Sequence, residues 1–256
     1  MKKIKVTFEQ YYSEQCGGQW PLLKKALLEE RNHFDLHEGL KQSYFLDPAS
    51  VQAGKALQIN EGDRVLDLCA APGGKSLVLA QNLKPGATLK CNEKSPARRQ
   101  RLIKVLDDHL DTDLRARVDV SGFDATKWCL FEQEMYEKIL LDAPCSSEGH
   151  VLQSPKHLNE WSPSRIKRLA QQQFAMVASA LELLVVGGEM VYSTCAIAED
   201  ENDGVIEKLF KKRAGRFELL PIHESIGYET KFGWKMWPDT DAGVGPIYYT
   251  RLKKLS

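Results

Sequence analysis

The chain has 256 residues and equal numbers of acidic and basic side chains, 35 of each, so its formal net charge is zero. This length suits one large α/β domain with a short appendage, and a hydrophobic content of 43% supports a real core. No apolar run approaches the roughly 20 residues that span a bilayer, and no apolar signal region follows the basic N-terminus. The neutral balance argues only weakly against nucleic-acid binding, because a neutral total can hide a basic groove.

The six cysteines are scattered along the chain, at Cys16, Cys69, Cys91, Cys129, Cys145 and Cys195. None forms a C-x-x-C pair, and no histidine stands beside them at the spacing of zinc ligands, so we predict no metal site. Unpaired cysteines in a chain of this size fit a reducing compartment better than a disulfide framework. We therefore expect a cytoplasmic protein.

The first 60 residues are predicted to form a helical extension in front of a main domain that runs from 61 to 256. Residues 19–30 have the periodicity of an amphipathic helix. Asp47 and Pro48 open a second helix, with Asp47 as its N-cap and Pro48 in its first turn.

From Gly62 onward, short apolar runs alternate with amphipathic stretches. The predicted strands are 64–68, 88–91, 117–120, 138–141, 190–193, 217–219 and 247–251, and the predicted helices are 75–81, 96–110, 165–184 and 201–212. This alternation predicts an α/β fold with a doubly wound, mostly parallel sheet, which binds ligands outside the carboxyl ends of its strands. Residues 227–246 are rich in Gly, Pro and Trp, and we expect a long ordered loop there.

Acidic and glycine-rich segments follow the first three predicted strands of the main domain. The turn at 66–75 contains Gly73 and Gly74, which allow a close approach of the backbone to a ligand, but it matches neither a P-loop nor G-x-G-x-x-G. Glu93 ends the next strand, where an acid can accept the two ribose hydroxyls of a nucleoside. Asp124 follows the third strand and could accept an adenine amino group. Together these residues indicate a cofactor that contains adenosine.

Two cysteines end two further predicted strands. Cys145 stands in Asp142-Ala143-Pro144-Cys145-Ser146-Ser147, and Cys195 ends Tyr192-Ser193-Thr194-Cys195. A free cysteine is more often a small buried hydrophobe than a reactive group. A thiolate beside a cofactor site is nonetheless a strong nucleophile. If the fold joins these segments to the glycine-rich turn, the chain forms a covalent bond to its substrate.

Leu68 to Lys75, Asp142 to Ser147 and Ser193 to Cys195, in this order, resemble the RNA cytosine-5 methyltransferase family of the NOL1/NOP2/Sun type. The resemblance runs from about 44 to 172 and on through Asn202. Residues 19–23 and 91–96 are most similar to its single-domain, mitochondrial-type branch. The resemblance implies a class I S-adenosylmethionine-dependent methyltransferase fold with a Rossmann-like, seven-stranded sheet. It also implies methyl transfer from S-adenosylmethionine to C5 of a cytidine in RNA, with ribosomal RNA as first candidate and transfer RNA as second.

The resemblance also implies roles for individual residues. Cys195 would be the nucleophile that adds to C6 of the base, and Cys145 would assist product release. The implied cofactor-binding residues are Cys69, Ala70, Ala71, Pro72, Gly73, Gly74, Lys75, Glu93, Arg98, Asp124 and Asp142. Glu93 stands where the family usually carries Asp, and Gly245-Pro246-Ile247 stands where it often has Gly-Phe-Phe.

Two other hypotheses remain open. The chain could be a DNA cytosine-5 methyltransferase, in which Cys145 would attack, or a non-catalytic ribosome-assembly factor that binds S-adenosylmethionine. We expect a monomer whose first 60 residues face RNA. Residues 150–161, with Lys156 and Arg165, are expected to line the path of the RNA, while Trp161 could equally be core. Specificity would come from these surfaces or from a protein partner.

Overall fold

The computed structural model describes residues 6–30 and 33–256. In these ranges the helices are α1 Phe8–Cys16, α2 Trp20–Leu28, α3 Pro48–Lys55, α4 Gly74–Gln81, α5 Pro96–His109, α6 Thr112–Ala116, α7 Glu148–Leu152, α8 Pro155–Glu160, α9 Pro163–Leu183 and α10 Asp203–Lys212. The strands are β1 Phe34–Leu36, β2 Tyr44–Leu46, β3 Arg64–Asp67, β4 Thr88–Asn92, β5 Val118–Ser121, β6 Tyr136–Asp142, β7 Leu184–Thr194, β8 Phe217–Leu220, β9 Tyr228–Glu229, β10 Trp234–Met236 and β11 Ile247–Lys254.

The central sheet has the order β5-β4-β3-β6-β7-β11-β10-β9, and β8 pairs with the far half of β11. The five strands from β5 to β7 are parallel to one another, whereas β11 runs antiparallel to β7. Helices and buried apolar side chains cover both faces of the sheet. The predicted doubly wound, mostly parallel sheet is therefore confirmed.

Two predictions about the sheet need correction. Within the described residues the sheet has nine strands rather than seven, because β9 and β10 lie in the segment expected to be a loop. These strands are too short to show a periodicity, and they are held together by close backbone approach: a Cβ on Gly227 would lie 2.3 Å from the carbonyl oxygen of Lys235. The strand predicted at 190–193 begins earlier, at Leu184, and includes Gly187 and Gly188, where its pairing with β6 shifts register.

The segment before the main sheet contains more structure than the sequence indicated. The predicted helices are present as α2 and α3, and the side chain of Asp47 caps α3 by accepting from the backbone N–H of Ala49 at 2.8 Å. Helix α1 and the antiparallel pair β1–β2 were not predicted. Leu36 and Leu46 join the core on one face of the sheet. The division of the chain at residue 60 stays a prediction.

Helices α1 and α2 form a separate aromatic cluster over the carboxyl edge of the sheet. Phe8, Tyr12 and Trp20 pack there with Trp161 and Ile197. Trp161 follows the segment after β6 and Ile197 follows β7, so the N-terminal helices lie on the segments that carry both cysteine motifs. No helix of the described ranges is long and apolar enough to cross a membrane.

Candidate active site

The parallel pairing of β6 and β7 brings the two cysteine motifs together. Asp142, the last residue of β6, lies opposite Ser193 of β7, and the cysteines follow shortly after each. The Sγ atoms of Cys145 and Cys195 lie 3.1 Å apart, and the hydroxyl of Ser147 lies 3.4 Å from both. A disulfide would need about 2.05 Å between the sulfur atoms, so this pair is two free thiols in hydrogen-bond contact.

The contact between the thiols makes them unequal. The hydrogen bond to Cys195, together with burial, raises the pKa of Cys145 well above its ordinary value. The same contact lowers the pKa of Cys195, and Ser147 adds to this effect, which makes Cys145 the donor. Cys195 is also the more exposed of the two. The geometry therefore favours Cys195 as the thiolate and Cys145 as the thiol.

A lysine–aspartate pair lies beside the thiols. The Lys75 Nζ is 2.9 Å from a carboxylate oxygen of Asp142 and 3.2 Å from the hydroxyl of Ser50. The other oxygen of Asp142 accepts from the hydroxyl of Ser193 at 3.0 Å. Burial lowers the pKa of Lys75, but the contacts with Asp142 outweigh burial and raise it, so the amine stays protonated. Lys75, predicted as part of the cofactor turn, thus presents a cation at the site of the thiols.

A cleft of about 430 Å³ lies at the ends of β3, β4 and β5. It is lined by Leu68, Cys69, Asn92, Glu93, Lys94, Ser95, Pro96, Arg98, Phe123, Asp124, Ala125, Pro144, Gln172 and Met176. A smaller pocket of about 150 Å³ shares Cys69 as a wall and contains Ala70, Ala71, Pro72, Gly74, Lys75 and Asp142, together with Asp67 and Phe45. The two cavities share the wall at Cys69, the smaller one contains the Lys75–Asp142 pair that lies beside the thiols, and predicted cofactor residues line both.

Two acids of the cleft are held by nearby groups. Glu93 is buried, and its carboxylate accepts from the backbone N–H of Ser95 at 2.8 Å and lies 3.1 Å from the guanidinium of Arg98. Asp124 is bound by Lys94 at 2.7 Å, and this hydrogen bond is the main reason that its pKa falls to about 2. The apolar walls of the cleft suit the flat base of a nucleoside. The carboxylates of Glu93 and Asp124 supply two hydrogen-bond acceptors, and the ribose of a nucleoside carries hydroxyl donors.

Two predicted cofactor residues have packing or positioning roles. Gly73 has a φ of +125°, and a Cβ there would lie 2.9 Å from Val105 of α5, so the residue allows the turn to lie close to that helix. Arg98 donates to the carbonyl oxygen of Ala71 at 2.7 Å while it pairs with Glu93, so it joins the glycine-rich turn to the acid of the next strand.

Several buried polar residues of the site were missed by the sequence reasoning. Asp67 is fully buried, one of its oxygens has no hydrogen-bond partner among the described residues, and burial raises its pKa to about 7. Asn202 accepts from the hydroxyl of Thr194 at 2.6 Å and donates to the carbonyl of Ala196 at 2.9 Å, which fixes the loop around Cys195. Both residues stand in segments that the sequence analysis considered, but no pattern in those segments indicated a buried polar side chain.

The predicted path of the RNA is only partly a surface. Trp161 is buried against Phe8 and Tyr11, so it belongs to the core rather than to an RNA-facing wall. Arg165 donates to the carbonyl of Ser146 at 3.1 Å, next to Cys145. His150 and Lys156 are exposed.

The order of the strands, the cleft at the carboxyl ends of β3, β4 and β5, and the thiols that follow β6 and β7 define a class I methyltransferase fold. Residues 54–253 match the family model for the 16S rRNA methyltransferase RsmB/F, and the chain belongs to this family.

Individual relatives are similar over most of the chain. The zebrafish (Danio rerio) mitochondrial tRNA (cytosine(34)-C(5))-methyltransferase is 34% identical over 86% of this chain and 63% of its own length. The mouse (Mus musculus) 5-cytosine rRNA methyltransferase NSUN4 is 32% identical over 85% of this chain and 61% of its own length. The chain thus spans about three fifths of these relatives. The crystal structure of NSun6 from Pyrococcus horikoshii with SFG superposes with a TM-score of 0.68 at 25% identity, over 84% of this chain and 53% of that one.

Proposed function

We propose that the protein transfers a methyl group from S-adenosylmethionine to C5 of a cytidine in RNA, and that the RNA is ribosomal. The observation that carries this proposal is the thiol pair, with its 3.1 Å contact, beside a cleft that fits a nucleoside. Membership of the RsmB/F family and the names of the relatives support it.

The cleft supplies groups that suit the cofactor. Glu93 would accept the ribose hydroxyls, Asp124 would accept from the adenine edge, and the turn from Cys69 to Lys75 would surround the methionine part. When bound, S-adenosylmethionine supplies an electrophilic methyl group. Its methionine end would lie toward Asp142, because the smaller pocket shares Cys69 with the cleft and contains Asp142.

The thiol pair supplies what cytosine chemistry needs. C5 of cytosine is a poor nucleophile, and addition of a thiolate to C6 makes C5 enamine-like and able to accept a methyl group. The hydrogen bond from Cys145 keeps Cys195 suited to this addition. Lys75 and Asp142 would bind the polar edge of the pyrimidine beside it.

Release reverses the addition. Water takes the proton from C5, the electrons of the C5–H bond form the C5–C6 double bond, and the electrons of the bond between C6 and sulfur return to Cys195 as its thiolate. We assign Cys145 to this step as the thiol that donates a hydrogen bond to the departing thiolate. The unequal exposure and pKa of the two thiols support Cys195 rather than Cys145 as the nucleophile, which favours the RNA over the DNA type of enzyme.

The RNA can be identified by one experiment. Total RNA from a strain that lacks the gene is incubated with the protein and a methyl donor labelled in the methyl group, and bisulfite sequencing then maps 5-methylcytidine. We expect one modified cytidine in ribosomal RNA. A site in transfer RNA would select the second candidate, which the name of the zebrafish relative favours. Absence of 5-methylcytidine with correctly folded protein would contradict the proposal. Cys129→Ala, at a partly buried cysteine outside the site, is the control variant.

Two further properties are proposed on the cysteine usage and the single-domain organisation alone. We propose a cytoplasmic location and a monomer that takes its RNA specificity from its own surface or from a protein partner. Cell fractionation and light scattering of the purified chain test these two points directly.

A further inference from the structure

Two buried carboxylates lie beneath the thiol pair. Glu148 and Glu201 are both 0% exposed, and each follows one of the cysteines along the chain. Each reaches across to the loop of the other cysteine. Glu148, after Cys145, accepts from the backbone N–H of Ile197 at 3.0 Å, and Glu201, after Cys195, accepts from the backbone N–H of Ser146 at 3.0 Å. The two loops are therefore connected by a pair of crossed hydrogen bonds.

Both carboxylates are also tied to helices outside the two loops. The second oxygen of Glu148 accepts from the hydroxyl of Tyr12 in α1 at 2.5 Å and from the hydroxyl of Ser146. Glu201 accepts from the side-chain amide of Gln173 in α9 at 2.7 Å, and the same amide donates to the carbonyl of Pro144 at 2.9 Å. The crossed pair is thus fixed from two sides.

The arrangement is unfavourable for stability alone. A buried carboxylate loses its hydration, and a well-packed apolar side chain would often be as stable or more so. One oxygen of Glu201 has no hydrogen-bond partner among the described residues. Burial, and then the neighbouring Glu148, raises the pKa of Glu201 to about 7. Two acids in this position point to a role at the site rather than in the core.

We propose that Glu148 and Glu201 are positioning residues, a crossed clamp that holds the two cysteine loops at the separation where Cys145 donates to Cys195. Through Tyr12 the clamp also makes α1 a support of the site. The role of the clamp in catalysis rests on the proposed function. Its effect on the separation of the thiols and on the hydrogen bond between them does not.

The clamp and a purely electrostatic role predict opposite results. The titratable and charged groups that face Cys195 are Cys145 and Asp142 at the end of β6, Lys75 of α4 and Glu148 of α7. The charge of Glu148 by itself raises the pKa of Cys195, so its removal would lower that pKa. Loss of the clamp would instead separate the thiols, remove the hydrogen bond from Cys145 and raise the pKa of Cys195.

The test measures the alkylation of Cys195 by iodoacetamide as a function of pH, with peptide mass spectrometry on the full chain. We expect Glu148→Ala, which removes every side-chain contact of the clamp at this position, to raise the midpoint by about one pH unit, so that alkylation at neutral pH falls about 10-fold. The matched control is Asp63→Ala, which removes a buried carboxylate that accepts from the backbone N–H of Asn60 before β3. It should leave the midpoint unchanged.

An unchanged or lowered midpoint in Glu148→Ala would overturn the clamp. If that variant does not fold, Tyr12→Phe decides the question, because it removes one hydroxyl donor to Glu148 without any change of charge. It should raise the midpoint in the same direction by a smaller amount, and no shift would count against the clamp. Alkylation needs neither RNA nor cofactor, so a failure of the methylation assay would leave this result intact.

Discussion

The carboxyl edge of the sheet has two halves that are held in different ways. In the cofactor half, at the ends of β4 and β5, Glu93 is bound by Ser95 and Arg98 and Asp124 by Thr126, all close in the sequence, and the exposed Lys94 adds a contact to Asp124. In the thiol half, at the ends of β6 and β7, the buried acids bind backbone groups 49 and 55 residues away. The cofactor half is held mainly by contacts that are local in the sequence, whereas the thiol half depends on contacts between distant parts of the chain.

This difference sets the expected size of mutational effects. Exposed ion pairs contribute about 0–1 kcal/mol, because water and salt screen them. Loss of a buried acceptor costs about 1–3 kcal/mol for each buried donor that is left without a partner. Substitutions in the thiol half should therefore have larger effects than substitutions in the cofactor half.

The largest effect is expected at the cysteines themselves. Cys195→Ala removes the nucleophile and should lower methylation by about 1,000-fold or more. Cys145→Ala should leave an RNA–protein adduct that survives denaturing electrophoresis, because the adduct forms but is not released. The adduct should form more slowly near neutral pH, since Cys145 no longer donates to Cys195. An adduct in Cys195→Ala instead would move the nucleophile to Cys145 and remove the asymmetry of the thiol half.

A smaller effect, on stability, is expected at Glu201. Its pKa is about 7 in the folded chain and near 4.5 in the unfolded chain, so the folded state binds the extra proton between these values. The free energy of unfolding should then fall as pH rises from about 4.5 to 7, by about 3 kcal/mol at most. Glu201→Gln should lose this part of the pH dependence and gain stability relative to the wild type above neutral pH.

Urea unfolding at several pH values checks this prediction. Asp67 also has a pKa raised to about 7 by burial, so a residual slope in the variant is expected from that residue. Glu207→Gln, at an exposed carboxylate of α10, is the control and should retain the full slope. If the free energy of unfolding of Glu201→Gln kept the wild-type dependence on pH, the carboxylate of Glu201 would not titrate in this range. Its burial would then destabilise the thiol half less than expected.

The fold was largely predictable because it depends on local patterns. The strands that end at Asp67, Asn92 and Asp142 are short apolar runs, and a parallel sheet brings their carboxyl ends to one edge. The positions of the cysteines at the ends of two neighbouring strands then follow. By contrast, β9 and β10 depend on close contact at Gly227, and strands of two and three residues carry no periodicity that could be recognised.

The supporting residues of the thiol half could not be predicted for a physical reason. Glu148 and Glu201 are charged residues that a sequence pattern assigns to the surface, since burial of an unpaired carboxylate is unfavourable. Their burial is possible only because Tyr12, Ser146 and Ile197 donate hydrogen bonds from other parts of the chain. Glu93 and Asp124, by contrast, could be proposed as cofactor-binding residues because they stand at the ends of predicted strands.

The smallest effect is expected at Lys94, and it tests the local character of the cofactor half. Its Nζ lies 2.7 Å from Asp124, but 68% of its side chain is exposed. Thr126 binds the other oxygen of Asp124 through its hydroxyl, at 2.7 Å, and through its backbone N–H, at 3.1 Å, so the carboxylate keeps its position without the lysine. Lys94→Ala should therefore weaken binding of S-adenosylhomocysteine, measured by calorimetry, by less than about threefold. The difference should vanish at high ionic strength, because salt screens an exposed pair. A tenfold loss of affinity that persists at high ionic strength would mean that Lys94 itself contacts the ligand or orders the cleft. The cofactor half would then depend on a contact between distant parts of the chain, as the thiol half does.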